Sequence, residues 1–365
     1  MRASFFNGIG WHQPIVSPDG PGHKHPNNHC RHVPILRRSS LFLNPSRRQL
    51  LLASAAAVLP ATSQAQATWP SKPIRLLTPF TAGGATDLIA RSLATHLQAA
   101  LKQPVHVEPK PGADGALAAL ELLRSPADGH TVYLATASAL SYAPNARKAV
   151  GYDPLKDFTP LTQFMTFSFY LMVHESLPGK TLAEVLAHVK ANPGKYSYAS
   201  GNSTALLAAA QLMTSAGADM TSAPYKGESQ AVVDMVGGRV HMMWCSPAVM
   251  PALLKDGKFR PLAVLLPERS SAMPDVPTIG EAGMPLVNVV PWGGFVVPAA
   301  TPREVSAAVA KALREAIALP EMRGPAEKSG LVLRPGPSEA FARLLVEQLA
   351  AYGEAIKQAK IPQES

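Results

Sequence analysis

Four short stretches of this chain carry the residue types that hold a small anion through backbone and hydroxyl groups. They are Phe80-Thr81-Ala82-Gly83-Gly84-Ala85-Thr86-Asp87, Thr136-Ala137-Ser138, Ser200-Gly201-Asn202-Ser203-Thr204 and Tyr225-Lys226-Gly227-Glu228. Glycine lets a backbone approach a bound molecule closely. The first and third stretches run straight into helical patterns, and a helix start offers unpaired N–H groups and the positive end of the macrodipole. One such contact with an anion is worth about 0.3–1 kcal/mol when exposed and up to about 2 kcal/mol when partly buried. Taken singly, each stretch has a plainer reading. Gly83-Gly84 fits a tight turn, Asp87 fits a helix cap, and Ser203 and Thr204 are good caps as well. The four together, each at the carboxyl end of a strand pattern, fit a ligand site beyond the ends of parallel strands.

A second constellation is Cys245-Ser246 with His241 four residues earlier, which strand alternation puts on one face with Cys245. A catalytic cysteine needs a base or an electropositive setting, and a structural thiol is the simpler reading. The chain has no G-x-S-x-G elbow, no H-E-x-x-H and no P-loop, and Gly83-Gly84 lacks dinucleotide-binding spacing. No catalytic residue is therefore expected, and the chain reads as a binding protein; a hydrolase acting through Cys245 or Ser246 is the remote alternative. His96, His106, His130, His174, His188 and His241 are scattered without metal-ligand spacing, so neither a metal nor a cofactor is expected.

The elements that must position the four loops alternate. Strand patterns over Ile74–Phe80, Val105–Glu108 and Thr131–Ala135 enclose a helix with Leu88, Ile89, Leu93, Leu97 and Leu101 on one face, then an Ala/Leu-rich helix ending near Arg124. This βαβαβ order predicts a parallel sheet covered by helices on both faces. A second set has strands Tyr170–Val173, Tyr196–Ala199, Thr221–Pro224, Val240–Trp244 and Leu262–Leu266. Its helices are Thr181–Ala191, Thr204–Ala216, Ser229–Val236 and Pro247–Lys255. Thr181 with Glu184 reads as a capping box. A strand near Phe295 and helices Pro302–Leu319, Glu321–Lys328 and Ser338–Lys360 complete the chain. Crossovers are expected near Thr166–Phe169 and Val290–Phe295.

The fold class that follows is α/β, with two doubly wound lobes joined by crossovers. The expected division is an N-terminal extension plus signal peptide over 1–67, one lobe from 68–168 with 293–365, and a second over 169–292. The net charge of +9 over 365 residues says little about partners, because seven basic residues and one acid precede residue 68. The remainder holds 27 basic and 24 acidic residues, a balance that gives little support to a nucleic-acid-binding face. The early charge includes Arg47-Arg48, which precede the apolar run Leu50–Leu59 and then Ala65-Gln66-Ala67. This is the plan of a cleaved export signal, twin-arginine or Sec. His23, His25, His29, Cys30 and His32 lie ahead of it and would be lost on processing. Cys245 is then the only cysteine left, so no internal disulfide forms. A soluble, periplasmic product is expected.

Several runs resemble a known family. Pro70-Ser71-Lys72-Pro73-Ile74-Arg75 leads into Pro79-Phe80-x-x-Gly83-Gly84-x-Thr86-Asp87. Later come Tyr152-Asp153-Pro154-x-Lys156-Asp157-Phe158, Pro224-Tyr225-Lys226-Gly227 and Pro274-Asp275-Val276-Pro277-Thr278-x-x-Glu281-Ala282-Gly283. In this order they resemble the receptors of tripartite tricarboxylate transporters, the Bug receptors, over about Trp69 to Ile361. The resemblance implies a periplasmic two-lobed receptor of the Venus-flytrap type. It would close on a small organic carboxylate and deliver it to membrane transporter subunits, or report it to a membrane sensor. A monomer without nucleic-acid partners is expected. The ligand residues it implies are Phe80, Thr81, Ala82, Gly83, Gly84, Thr86 and Asp87 from the first loop and Thr136 and Ser138 from the second. Ser200, Gly201, Asn202, Ser203 and Thr204 come from the opposing lobe. Tyr225, Trp244 and Ser246 complete the expected set, with Trp244 either covering an apolar part of the ligand or lying in the core.

The chain departs from the family pattern in three places. The first loop reads Phe-Thr-Ala-Gly-Gly where Phe-x-Pro-Gly-Gly is usual. The Asn202 loop is one residue shorter, and Leu207 stands about where a histidine is usual. Met243-Trp244-Cys245-Ser246 lacks the aspartate often found there, which argues against an amino-acid ligand.

Overall fold

Two sheets divide the strands. The computed structural model describes residues 69–83, 85–225, 227–284 and 287–363, so the expected extension and signal peptide lie outside the described residues. The first elements are β1 (Ile74–Thr78), α1 (Ala85–Leu101), β2 (Val105–Pro109), α2 (Ala116–Arg124), β3 (Thr131–Thr136), α3 (Ala143–Ala146) and β4 (Phe158–Phe167). The chain then enters β5 (Tyr170–His174), α4 (Leu182–Lys190), β6 (Ser197–Ser200), α5 (Ser203–Ala216), β7 (Thr221–Pro224), α6 (Glu228–Val236), β8 (Met242–Cys245), α7 (Met250–Leu254) and β9 (Phe259–Val264). It returns through β10 (Trp292–Pro298), α8 (Arg303–Ile317), α9 (Pro320–Lys328), β11 (Leu331–Leu333) and α10 (Ser338–Gln358).

The first sheet has the order β11-β4-β10-β3-β1-β2, and the second β7-β6-β8-β5-β9. The βαβαβ prediction is met where it was made, since β1 runs parallel to both β2 and β3. The other half of that sheet is antiparallel: β10 pairs with β3 and β4, and β11 pairs with β4. In the second sheet β6 is parallel to β7 and β8, while β5 lies antiparallel to β8 and β9. β5 and β10, the strands by which the chain enters each sheet from the other, run antiparallel to both neighbours, and the edge strand β11 is also reversed. The crossings run through Ser168–Phe169 and from Leu265 to Pro291.

Strand β4 has no counterpart in the sequence reading. Its ten residues include Pro160, which cannot donate to a ladder and belongs at edges or bulges. Here β4 is an interior strand, and Pro160 faces Val296 at a register shift in β10. Local helix signals fared better. Thr181 Oγ1 accepts from Glu184 N (3.3 Å), while Glu184 Oε2 reaches Lys180 N (2.7 Å), one residue beyond the usual capping-box donor. Asn202 Oδ1 caps α5 by accepting from Ala205 N at 2.8 Å, and Gly217 closes that helix in the left-handed region.

The buried face of α1 is Ile89, Ala90, Leu93, Ala94 and Leu97, whereas Leu88 is 59% exposed. Leu88 sits about 100° round the helix from Ile89, so the 3.6-residue period takes it off the apolar stripe. In α10, Phe341, Leu345, Tyr352 and Ile356 are buried as their spacing predicts. This helix packs on the first sheet and also touches α5 of the second group. It therefore braces the two halves near the crossovers.

Candidate functional site

The loops at the carboxyl ends of the strands meet around a cavity of about 220 Å³. One wall comes from the first sheet: Phe80 and Thr86 after β1, then Thr136, Ala137 and Ser138 after β3. The facing wall comes from the second: Asn202 and Thr204 after β6, Glu228 at the first position of α6, and Ser246 and Ala248 after β8. Between them lie Phe169 and Pro291 of the crossovers, Phe167 and Trp292 at the strand ends that flank them, and Ser329 and Leu331. Phe167 stands 6.2 Å from Phe80 and 6.1 Å from Phe169, ring centre to ring centre, so apolar rings line one side.

The first loop is held by Asp87, which is 1% exposed. Its Oδ2 accepts from Gly83 N at 2.9 Å and from Arg91 Nε at 2.8 Å. Burial opposes the charge, but these two donors hold the carboxyl below the usual aspartate range. The Gly83 N–H is thus used inside the loop rather than offered to a ligand. Gly83 has φ of +83° and open space beside its Cα, so backbone conformation is what requires glycine there. Thr81, Ala82 and Gly83 are exposed at the rim, and Gly84 lies outside the described residues.

The two walls touch directly. Ser138 Oγ and Ser203 Oγ are 2.9 Å apart and share a hydrogen bond. Tyr352 Oη donates to Val290 O at 3.1 Å, which leaves it as acceptor for Thr204 Oγ1 at 2.8 Å. Thr204, the helix α10 and the return crossover are linked in this way.

The second wall is organised by Glu228. Its Oε2 accepts from Ser246 N (3.1 Å) and Ser246 Oγ (2.6 Å), and its Oε1 from Asn202 Nδ2 (3.3 Å). Burial pushes this carboxyl above the ordinary glutamate range, against the pull of the Ser246 donors. Gly201 permits the approach: a Cβ there would lie 2.6 Å from Glu228 N and 2.8 Å from its Cα.

Thr81, Ala82, Gly83, Asp87, Gly201 and Ser203, all expected as ligand contacts, belong to the wall loops without lining the cavity, and three further expected contacts fall elsewhere. Trp244 is fully buried in the core beneath the second wall, because β8 is an interior strand and the alternation turns this ring inward. Tyr225 points away, its Oη donating to Asp234 Oδ2 at 2.6 Å; the cavity residue of that loop is Glu228. Ser200 is buried at the end of β6 and supports the loop without lining the cavity. The crossover residues Phe167, Phe169, Pro291 and Trp292 were not named as ligand contacts, although the segments holding them were read as crossovers.

Cys245 has no nucleophile's setting. It is fully buried, and burial together with the Glu228 charge pushes its thiol well above the usual range. His241 is turned to Ser197, whose N–H donates to its Nδ1 at 3.1 Å. Among the described residues no group of three or more His, Cys, Asp or Glu is placed to hold a metal ion, and no helix is long and apolar enough to cross a membrane.

Two α/β halves, two crossovers and a cavity between the strand ends define a two-lobed binding protein. The comparisons with known proteins narrow the class. The pattern described as the tripartite tricarboxylate transporter family receptor matches residues 89–361. The chain belongs to that family, the Bug-type receptors. It is 36% identical over 269 residues to the UPF0065 protein in the gbd 5'region of Cupriavidus necator, covering 73% of this chain and 81% of that one. It is 33% identical over 277 residues to Protein BugT of Bordetella pertussis, covering 73% and 82%. Among solved structures, an R. palustris protein with adipate shares the fold at a TM-score of 0.70 and 29% identity, covering 80% of this chain and 99% of its own. MatC from Rhodopseudomonas palustris with bound malate gives a TM-score of 0.66 and 26% identity, covering 79% and 100%. The family is one of solute-binding receptors, not of enzymes.

Proposed function

We propose that the protein is an exported, periplasmic receptor that captures a small organic carboxylate between two lobes and presents it to the membrane subunits of a tripartite tricarboxylate-type transporter. The observation that carries this reading is the convergence of loops from both sheets on one cavity, with crossover residues between them. The lobes are 68–168 with 293–365, and 169–292. Thr86 in the first turn of α1, with Thr136 and Ser138, offers hydroxyls and a helix start to a ligand carboxylate. Asn202, Thr204 and Ser246 face them. The adipate- and malate-bound relatives support a carboxylate as the ligand class.

A ligand that touches both walls stabilises only the conformation in which they are close, so it shifts the population toward closure. Thermal shift against a panel of carboxylates tests the ligand class. A ligand at 100 times its Kd adds about 2.7 kcal/mol to stability. Small-angle scattering tests the motion: the radius of gyration should fall on ligand addition, and an unchanged value with a bound ligand removes the closure mechanism. Pull-down of the receptor by the transporter's membrane subunits tests the partner.

A further inference from the structure

The cavity holds one charged side chain among its described lining residues, and that charge is negative. Glu228 stands on the second wall with three protein donors aimed at it: Ser246 N, Ser246 Oγ and Asn202 Nδ2. The orientation of Asn202 is set independently, because its Oδ1 caps α5 through Ala205 N. Its Nδ2 must therefore face Glu228, and both carboxylate oxygens serve as acceptors. A carboxylate accepts at about four lone-pair sites, so acceptor capacity is left over. Position at the start of α6 accounts for a favourable dipole. It does not account for a side chain folded across to the β8 loop at the edge of a ligand cavity. No arginine, lysine or histidine is among the described residues that line the cavity.

Resting on the receptor reading above, we propose that Glu228 is the specificity residue of this site and selects a ligand carrying a cationic nitrogen in addition to its carboxylate. The ligand carboxylate lies toward Thr86, Thr136 and Ser138, and the nitrogen toward Glu228. A monocarboxylate would place a second negative charge, and a dicarboxylate a second and third, in a cavity with no described positive one. A hydroxyl in place of the nitrogen would satisfy the hydrogen bond and leave the charge imbalance. A zwitterion removes both problems. The missing aspartate in Met243–Ser246 thus does not argue against an amino group, since Glu228 brings an acceptor to Ser246 from a different element.

The test is calorimetry on the wild-type chain and on Glu228→Gln, with chain-matched probes from three to ten carbons: monocarboxylates, dicarboxylates and amino-carboxylates. The expected result is an amino-carboxylate bound at least about tenfold more tightly than its matched mono- and dicarboxylate, with that preference abolished in Glu228→Gln while carboxylate binding persists. Dicarboxylates that bind wild type as well as or better than amino-carboxylates overturn the inference and leave the receptor reading intact. A protein cation already neutralising Glu228 would produce that outcome. Amines without a carboxylate that bind wild type and not Glu228→Gln support the role of Glu228 and overturn the carboxylate reading. Binding of no probe by either protein overturns both. Circular dichroism of Glu228→Gln establishes that the variant is folded before its affinities are compared.

Discussion

The two walls of the cavity use different physics. The wall on the first sheet is neutral: Thr86, Thr136 and Ser138 present hydroxyls beside the start of α1, and its one buried carboxylate, Asp87, is turned back to Gly83 and Arg91. The wall on the second sheet carries its carboxylate in the cavity lining, held by Ser246 and Asn202 and reached over Gly201. Both walls begin from a glycine-bearing loop that enters a helix. They diverge because Asp87 lies in the first turn of its own helix and can reach back to its own loop. Glu228 instead has the β8 loop within reach and no described cation beside it. Loop composition alone therefore does not determine which wall is anionic.

Trp244→Ala removes a fully buried ring and should lower unfolding stability by about 3–5 kcal/mol, measured by denaturant titration. Because this ring is outside the cavity, folded Trp244→Ala should keep its ligand preference. A selective change of preference would return Trp244 to the wall. Next is Gly201→Val, which drives a side chain into the backbone of Glu228. It should lose about 1–3 kcal/mol, as overpacked sites do, and should weaken binding beyond what Ser138→Ala does.

Ser138→Ala is smaller. It removes the direct hydroxyl contact between the walls, worth about 0.5–1.5 kcal/mol, and should appear as a loss of affinity up to about tenfold. The smallest effect separates the two carboxylates by pH. A carboxyl whose folded pKa is raised contributes stability that is complete below its unfolded pKa and is lost as pH rises through the folded value. Glu228 is of this kind, so ligand-free Glu228→Gln should melt higher than wild type above the ordinary glutamate range, and the gap should vanish below it. Asp87 has the opposite sign: its contribution is present above the ordinary aspartate range and is lost on acidification. Melting temperatures of Asp87→Asn and Glu228→Gln across pH check both signs.

Much of the fold was legible because its signals are local. The parallel β1–β2–β3 unit followed from strand and helix alternation, and the cap at Thr181 followed from residue type beside an apolar period; the cap of α5 is Asn202, just before the Ser203 and Thr204 read for that role. Strand β4 was not legible, since Pro160 reads as a breaker until a bulge in β10 receives it. The site was legible as four loops but not as a set of contacts. Thr86, Thr136, Ser138, Asn202, Thr204 and Ser246 line the cavity, while Tyr225 turns to Asp234 and Trp244 turns into the core. These distinctions rest on which way a side chain points, and that depends on packing against distant segments.

Hydrophobic period, capping and glycine conformation act within a few residues, so the two α/β sets, the places where strands end in small polar loops and the residues able to start helices there are all readable along the chain. That those loops face one another, that Ser138 meets Ser203, and that Glu228 rather than Tyr225 enters the cavity follow from long-range packing. Each of these requires segments tens of residues apart to pack at van der Waals distance, and no local pattern records which of two neighbouring side chains that packing will leave facing the ligand.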